Sequence, residues 1–154
     1  MGKNYQKVVK ELAKDLITKI GVQADIEVVE TDGGLNVQIK GENLGVLIGY
    51  HGQTLESLQL LLSLMLNHEQ KDADWVRVVV DIGDYRAERE NTLREIVNRA
   101  VEDLEVNSKK ETLLPPMSPA ERRAAHIIVS ENYPELETVS EGEEPYRRIK
   151  LLKK

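Results

Sequence analysis

The sequence predicts an α+β protein made of two small modules joined by a long helix. Three observations carry this reading. Helical and strand periodicities alternate through residues 1–83 without recurring β-α-β units. Residues 84–106 hold the longest helical stripe, and a shorter set of one helix and several strands follows it. The expected domains are therefore 1–83 and 84–154, the second including the connecting helix 84–106.

Tyr5, Val8, Val9, Leu12, Leu16 and Ile20 recur at helical spacing, so residues 3–20 form an amphipathic helix that ends near Gly21. Ile26 to Glu30 suggests a strand. Asp32-Gly33-Gly34 is a hairpin turn, and Leu35, Val37 and Ile39 alternate with polar residues as its second strand. After the glycine-containing stretch GVLIGYHGQTL, Leu55, Leu58, Leu62, Met65 and Leu66 line one helix face. Leu60, Leu61 and Leu64 spread over the remainder, so this helix is expected between the sheet and a second covering layer. Trp75 to Asp81 reads as a buried strand rich in β-branched residues.

In the long helix, Leu93, Ile96, Val97, Ala100, Val101 and Leu104 make the stripe, while Glu90 with Arg94 and Glu95 with Arg99 form favourable four-residue pairs. Lys110 to Leu114 suggests a short strand. Ser118-Pro119-Ala120-Glu121 is a helix start with a capping Ser, Pro at the first position and Glu at the third; the helix runs to about Asn132, where Tyr133-Pro134 stops it. Leu136 to Ser140 and Tyr146 to Leu152 are expected as strands.

Composition narrows the function classes. With no Phe and 4% aromatic residues, the core is built from Leu, Val, Ile and Ala, and rows of exposed base-stacking rings are disfavoured. The absence of Cys removes disulfides, thiolate chemistry and Cys-ligated zinc, and suits a reducing cytosol. A net charge of −6 argues against an indiscriminate polyanion binder. The charge is uneven: 8 basic against 12 acidic residues in 1–83, 6 against 8 in 84–118, and 7 against 7 in 119–154. Any nucleic-acid surface is therefore local. His68-Glu69 lacks a second ligand at helical spacing, no nucleophile elbow is present, and the protein is expected to be neither a metalloenzyme nor another enzyme.

Gly49-Tyr50-His51-Gly52 is the motif that carries chemistry. A P-loop needs Lys and then Ser or Thr after its last glycine, whereas Gln53-Thr54 follow Gly52. A dinucleotide fingerprint needs a different glycine spacing and a strand directly before it. The remaining reading is a G-x-x-G turn between two helices. Gly49 supplies an unusual backbone conformation, bare Gly52 lets a sugar-phosphate backbone approach, and the start of the next helix points N–H groups toward it.

With that turn in place, residues 3–82 resemble a type II KH domain, a three-stranded sheet packed with helices. Arg122 and His126 in ERRAAHIIV share one helix face, and they lie between SPAERR and SEGEEPYRR. This ordered set resembles the small single-strand nucleic-acid module named for its R-x-x-x-H pair. The two together resemble the Jag, or SpoIIIJ-associated, family. Two departures stand out. Tyr50 and His51 occupy clamp positions that are basic in many members, and the usual N-terminal Jag domain does not appear in the sequence.

The resemblance implies single-stranded RNA as ligand, with single-stranded DNA as an alternative, and a G-x-x-G backbone clamp with no cofactor. The residues it assigns are Ile48, Gly49, Tyr50, His51, Gly52 and Gln53 at the clamp, with Arg122, His126, Arg147 and Arg148 in the second module. If Tyr146 to Leu152 is a strand, Arg147 and Arg148 point to opposite faces and only one shares a surface with Arg122. The acidic residues Glu141, Glu143 and Glu144 are expected off the nucleic-acid path.

The family also implies a cytoplasmic bacterial post-transcriptional regulator linked to cell-envelope growth or division. Its implied partners are a small single-KH protein, a second copy of itself, or a membrane insertase. The alternative is a protein-interaction scaffold or dimerisation module with little affinity for nucleic acid.

Overall fold

A computed structural model describes residues 5–68 and 74–154. The chain divides into two compact units, residues 1–86 and 87–154. In order, the elements are α1 Tyr5–Ile20, β1 Asp25–Thr31, β2 Gly34–Lys40, α2 Gly45–Ile48, a 3-10 turn Tyr50–Gly52, α3 Gln53–His68 and β3 Val78–Ile82. They continue with α4 Tyr85–Val106, β4 Glu111–Leu113, α5 Pro119–Asn132, β5 Leu136–Glu141 and β6 Arg148–Lys153.

In the first unit β1 and β2 form the expected antiparallel hairpin, with Thr31 opposite Gly34 across the Asp32-Gly33 turn. β3 then pairs parallel to β2, giving the sheet order β1-β2-β3. Leu35, Val37 and Ile39 of β2 and Val78, Val80 and Ile82 of β3 are buried on one face. Val9, Ala13 and Ile17 of α1 and Leu55, Leu58, Leu62 and Leu66 of α3 join them in one core. Removing each such Leu or Ile side chain from water contributes about 1.5–3 kcal/mol.

Two expectations need correction here. β3 starts at Val78, not Trp75, because pairing with β2 begins at Leu35 opposite Val78; Trp75 is 65% exposed. Leu60, Leu61 and Leu64 are exposed, so α3 has one buried stripe and no second layer over those residues among the described part of the chain. Hydrophobicity alone records what a side chain prefers, not whether a neighbour exists to cover it. Residues 3 and 4 of the expected first helix, and Glu69 beside His68, lie outside the described residues.

In the second unit β6 is central, with the sheet order β4-β6-β5 and both pairings antiparallel. Leu93, Val97, Val101 and Leu104 of α4 meet Ala125, Ile128 and Val129 of α5 and Ile149 and Leu151 of β6 in a second core. The stripe read in the long helix thus has its packing partner. β6 begins at Arg148, two residues later than expected, because Tyr146 and Arg147 belong to the preceding turn. No helix among the described residues is long and apolar enough to cross a membrane.

Candidate nucleic-acid interface

The turn between α2 and α3 is made by backbone geometry. Gly49 donates its N–H to the Gly45 carbonyl at 2.9 Å, closing α2, and then adopts φ 70° and ψ −169°. That region is essentially open only to glycine. A Cβ at Gly49 would stand 2.0 Å from Thr54 Oγ1, so space and torsion both exclude a side chain. His51 follows with φ 51° and ψ 29°, left-handed for a residue with a Cβ. The Gln53 N–H then returns to the Tyr50 carbonyl and the chain enters α3.

This path gathers Ile48, Gly49, Tyr50, His51, Gly52 and Gln53 into one loop. Ile48 leans on the core, while Tyr50 is 63% exposed at the tip. The Tyr50 and His51 rings meet edge to face, their centroids 4.1 Å apart at 61°. Gly52 departs from the expectation of a bare surface. It is buried, and a Cβ there would lie 3.1 Å from Cε1 of Tyr85 and 3.5 Å from its hydroxyl. Tyr85 already fills the space the glycine leaves, so the open side of the turn is the Tyr50-His51 side.

Next to Tyr85 stands a cation that sequence reading did not single out. Arg86 is exposed; its Nε donates to the Val80 carbonyl and its Nη2 to Gln59 Oε1, each at 3.0 Å. Its backbone N–H donates to Asp81 Oδ1 at 3.3 Å. No regular spacing connects Gln59 to Arg86, so only the fold brings them together.

The second unit's candidate residues are set by side chains. Ser118 Oγ accepts from the Glu121 N–H at 3.3 Å, Glu121 Oε2 accepts from the Ser118 N–H at 2.8 Å, and Pro119 opens the helix. This capping box fixes the phase of α5 and puts Arg122 and His126 one turn apart on the same face. Arg122 is buried: Nη1 donates to the Met117 carbonyl at 2.7 Å and Nη2 to Glu144 Oε1 at 2.5 Å. The acidic turn was expected to stand clear of this surface, yet Glu144 is the partner of Arg122. A buried guanidinium needs a counter-charge and filled hydrogen bonds, and Glu144 with Met117 provide them.

His126 is half-buried, its Nδ1 2.6 Å from Thr138 Oγ1. Burial pushes its pKa below the ordinary imidazole value, and the nearby Arg122 charge pushes the same way. Arg147 donates from Nε to Ser140 Oγ at 2.9 Å. Thr138 and Ser140 alternate on one face of β5, so His126 and Arg147 sit over successive positions of that face. Arg148 turns instead to the Tyr146 carbonyl at 3.3 Å. One of the two arginines thus joins His126, and the hydroxyls of Thr138 and Ser140 are additions that no sequence motif marked.

Comparison with known proteins follows the same division. Residues 6–80 match the family model described as KhpA/KhpB, KH domain, and residues 91–153 match the model of the R-x-x-x-H domain. The chain belongs to the KhpB/Jag family. It is 38% identical over 130 residues to the RNA-binding protein KhpB of Clostridium symbiosum, an alignment that covers 84% of this chain and 57% of that protein. Proteins of the same name from Bacillus subtilis and Lactiplantibacillus plantarum are 32% and 31% identical, covering 84% and 87% of this chain and 62% and 40% of theirs. The chain therefore spans about half the length of these relatives.

Proposed function

We propose that this chain binds single-stranded nucleic acid, RNA foremost, and does so without catalysis or a cofactor. The observation that carries the proposal is the Gly49 turn. A backbone conformation reserved for glycine holds Tyr50 outward on a loop between two helices, where a sugar-phosphate strand can lie across it. The relatives' shared name, RNA-binding protein, supports RNA as the ligand.

Ile48, Gly49, Tyr50, His51, Gly52 and Gln53 form the clamp in this reading. His126, Arg147 and Arg148 make a second contact, and Arg122 contributes by holding the turn that carries Glu144 to Arg147. The ion pair from Arg122 to Glu144 supports that indirect role. A cytoplasmic regulator of RNA, connected with envelope growth or division and with an insertase, is the cellular setting that the family suggests.

Fluorescence anisotropy with short single-stranded RNA and DNA tests the proposal, using wild type and the Tyr50→Asp, His51→Asp double variant at two salt concentrations. The added carboxylates repel phosphate without touching either glycine. Loss of most affinity in the folded variant is the expected result, with a modest salt slope because few phosphates are contacted. Unchanged affinity would remove the clamp from the interface.

One observation favours a further protein contact: Leu60, Leu61 and Leu64 form an exposed apolar face on α3. A single-KH partner or a second copy of this chain would cover it. Sedimentation of wild type against the Leu61→Glu, Leu64→Glu variant, alone and with a single-KH protein, reads this directly. An assembly lost in the variant supports the contact, and two monomers with no heterocomplex would dismiss it.

A further inference from the structure

We infer that Gln59 and Arg86 form a donor-only reader of a nucleobase edge beside the clamp, suited to a base that offers two adjacent acceptors. Guanine, through O6 and N7, and cytosine, through O2 and N3, offer such a pair; adenine does not. This rests on the clamp reading and gives it a source of sequence preference.

The orientation of the pair is settled by its partners. Gln59 Oε1 faces two donors, the Val80 N–H at 3.0 Å and Arg86 Nη2 at 3.0 Å, so the oxygen must point inward and the amide nitrogen is left for other acceptors. Among the described residues that nitrogen has no protein partner. Arg86 spends Nε on the Val80 carbonyl and one Nη2 hydrogen on Gln59, leaving Nη1 and the second Nη2 hydrogen. Its guanidinium forms no ion pair among the described residues, although Asp81 stands close enough to accept from its backbone N–H.

Everything still unused on the two side chains is therefore a donor. An adenine edge brings a donor of its own against that surface; guanine and cytosine bring acceptors. Both side chains are also held before any ligand arrives, since Val80 grips Gln59 through its N–H and Arg86 through its carbonyl. Less side-chain freedom is then lost on binding.

Position ties the pair to the clamp. Tyr85 fills the space at Gly52, and Arg86 is the next residue. Gln59 lies six residues along α3 from Gln53, about 9 Å at the helical rise. A strand held at Tyr50 and His51 and running along α3 brings a neighbouring base to this pair.

The test uses the full chain and a series of short single-stranded RNAs that differ only in the base placed at each position in turn, read by fluorescence anisotropy. Wild type is expected to prefer guanine or cytosine over adenine at one position by about tenfold. Replacing guanine there by 7-deazaguanine separates the two bases, because it removes an acceptor only from guanine.

Gln59→Glu is the discriminating variant. It retains an acceptor for Val80 and Arg86 while eliminating the outward amide donors, and the preference is expected to vanish as binding to the other sequences persists. Arg86→Lys, which keeps the charge and loses the planar fork, is expected to flatten the preference with little change in salt slope. A uniform drop in affinity for all bases would mean a phosphate contact and overturn the reader. A preference that survives both variants would overturn it with the clamp intact. If wild type binds no single strand, the clamp reading fails, and the reader with it.

Discussion

The turn at Gly49 and the α5 surface at Arg122 are built in opposite ways. In the first, backbone torsions make the shape and the tip side chain is left exposed; Tyr50 has 63% of its surface in solvent. In the second, side chains make the shape and are largely engaged with one another: Arg122 with Met117 and Glu144, His126 with Thr138, Arg147 with Ser140. A site of the first kind can lose its function at the tip while keeping its fold. A site of the second kind cannot be altered at its named residues without altering the unit that carries it.

The largest expected effect is at Gly49. Gly49→Ala forces a Cβ into a glycine-only region and against Thr54, and should destabilise the first unit by about 3 kcal/mol. Urea unfolding followed by amide signals of that unit measures it, and a change below about 1 kcal/mol would show that the turn relaxes freely. Arg122→Ala should cost the second unit about 2 kcal/mol by orphaning the Met117 carbonyl and releasing Glu144. If that variant keeps full stability and loses only binding, Arg122 belongs among direct contacts and the contrast drawn above weakens.

Smaller effects sharpen the same contrast. Ser118→Ala breaks the capping box and should cost about 1 kcal/mol, again in the second unit alone. Tyr50→Ala, at an exposed tip, should change stability by less than about 0.5 kcal/mol while weakening RNA binding. The smallest effect is a pH dependence. Because the folded protein holds the His126 pKa below its unfolded value of about 6.5, folding disfavours the protonated ring. Its contribution is present above that value and is lost as pH falls toward the native pKa. His126→Gln should flatten that part of the stability profile in acid unfolding followed by circular dichroism.

What could be read from the sequence was local. The capping box of α5 lies within four residues, and the Asp32-Gly33 turn pairs strands on either side of itself, so both were legible. The buried stripe of α4 follows from helical geometry alone. The start of β3 was not legible, because Trp75, Val76 and Arg77 have strand-like side chains and only the position of Leu35 decides where pairing begins.

The clamp loop could be located from its glycines, but the ring that fills the space at Gly52 comes from Tyr85, after an intervening helix and strand. Arg122 and Glu144 are 22 residues apart, and Gln59 and Arg86 are 27 apart. Neither separation follows a helix or strand period. Such pairs are products of topology, and charge counts placed Glu144 in an acidic turn without showing what it balances.

The carboxamides along α3 have one more consequence. Asn67 donates to the Val76 carbonyl at 2.9 Å and accepts from the Val76 N–H at 2.8 Å, while Gln59 accepts from the Val80 N–H. These bonds lie along β3, a terminal strand of its sheet, and occupy backbone groups through which a sheet recruits strands from other chains. Side chains of the protein's own helix stand where a foreign strand would pair. At the opposite margin, Asp25, Glu27 and Glu30 place negative charge along β1. A sheet of only three strands is thereby kept from growing between molecules, by hydrogen bonding on one side and by like-charge repulsion on the other.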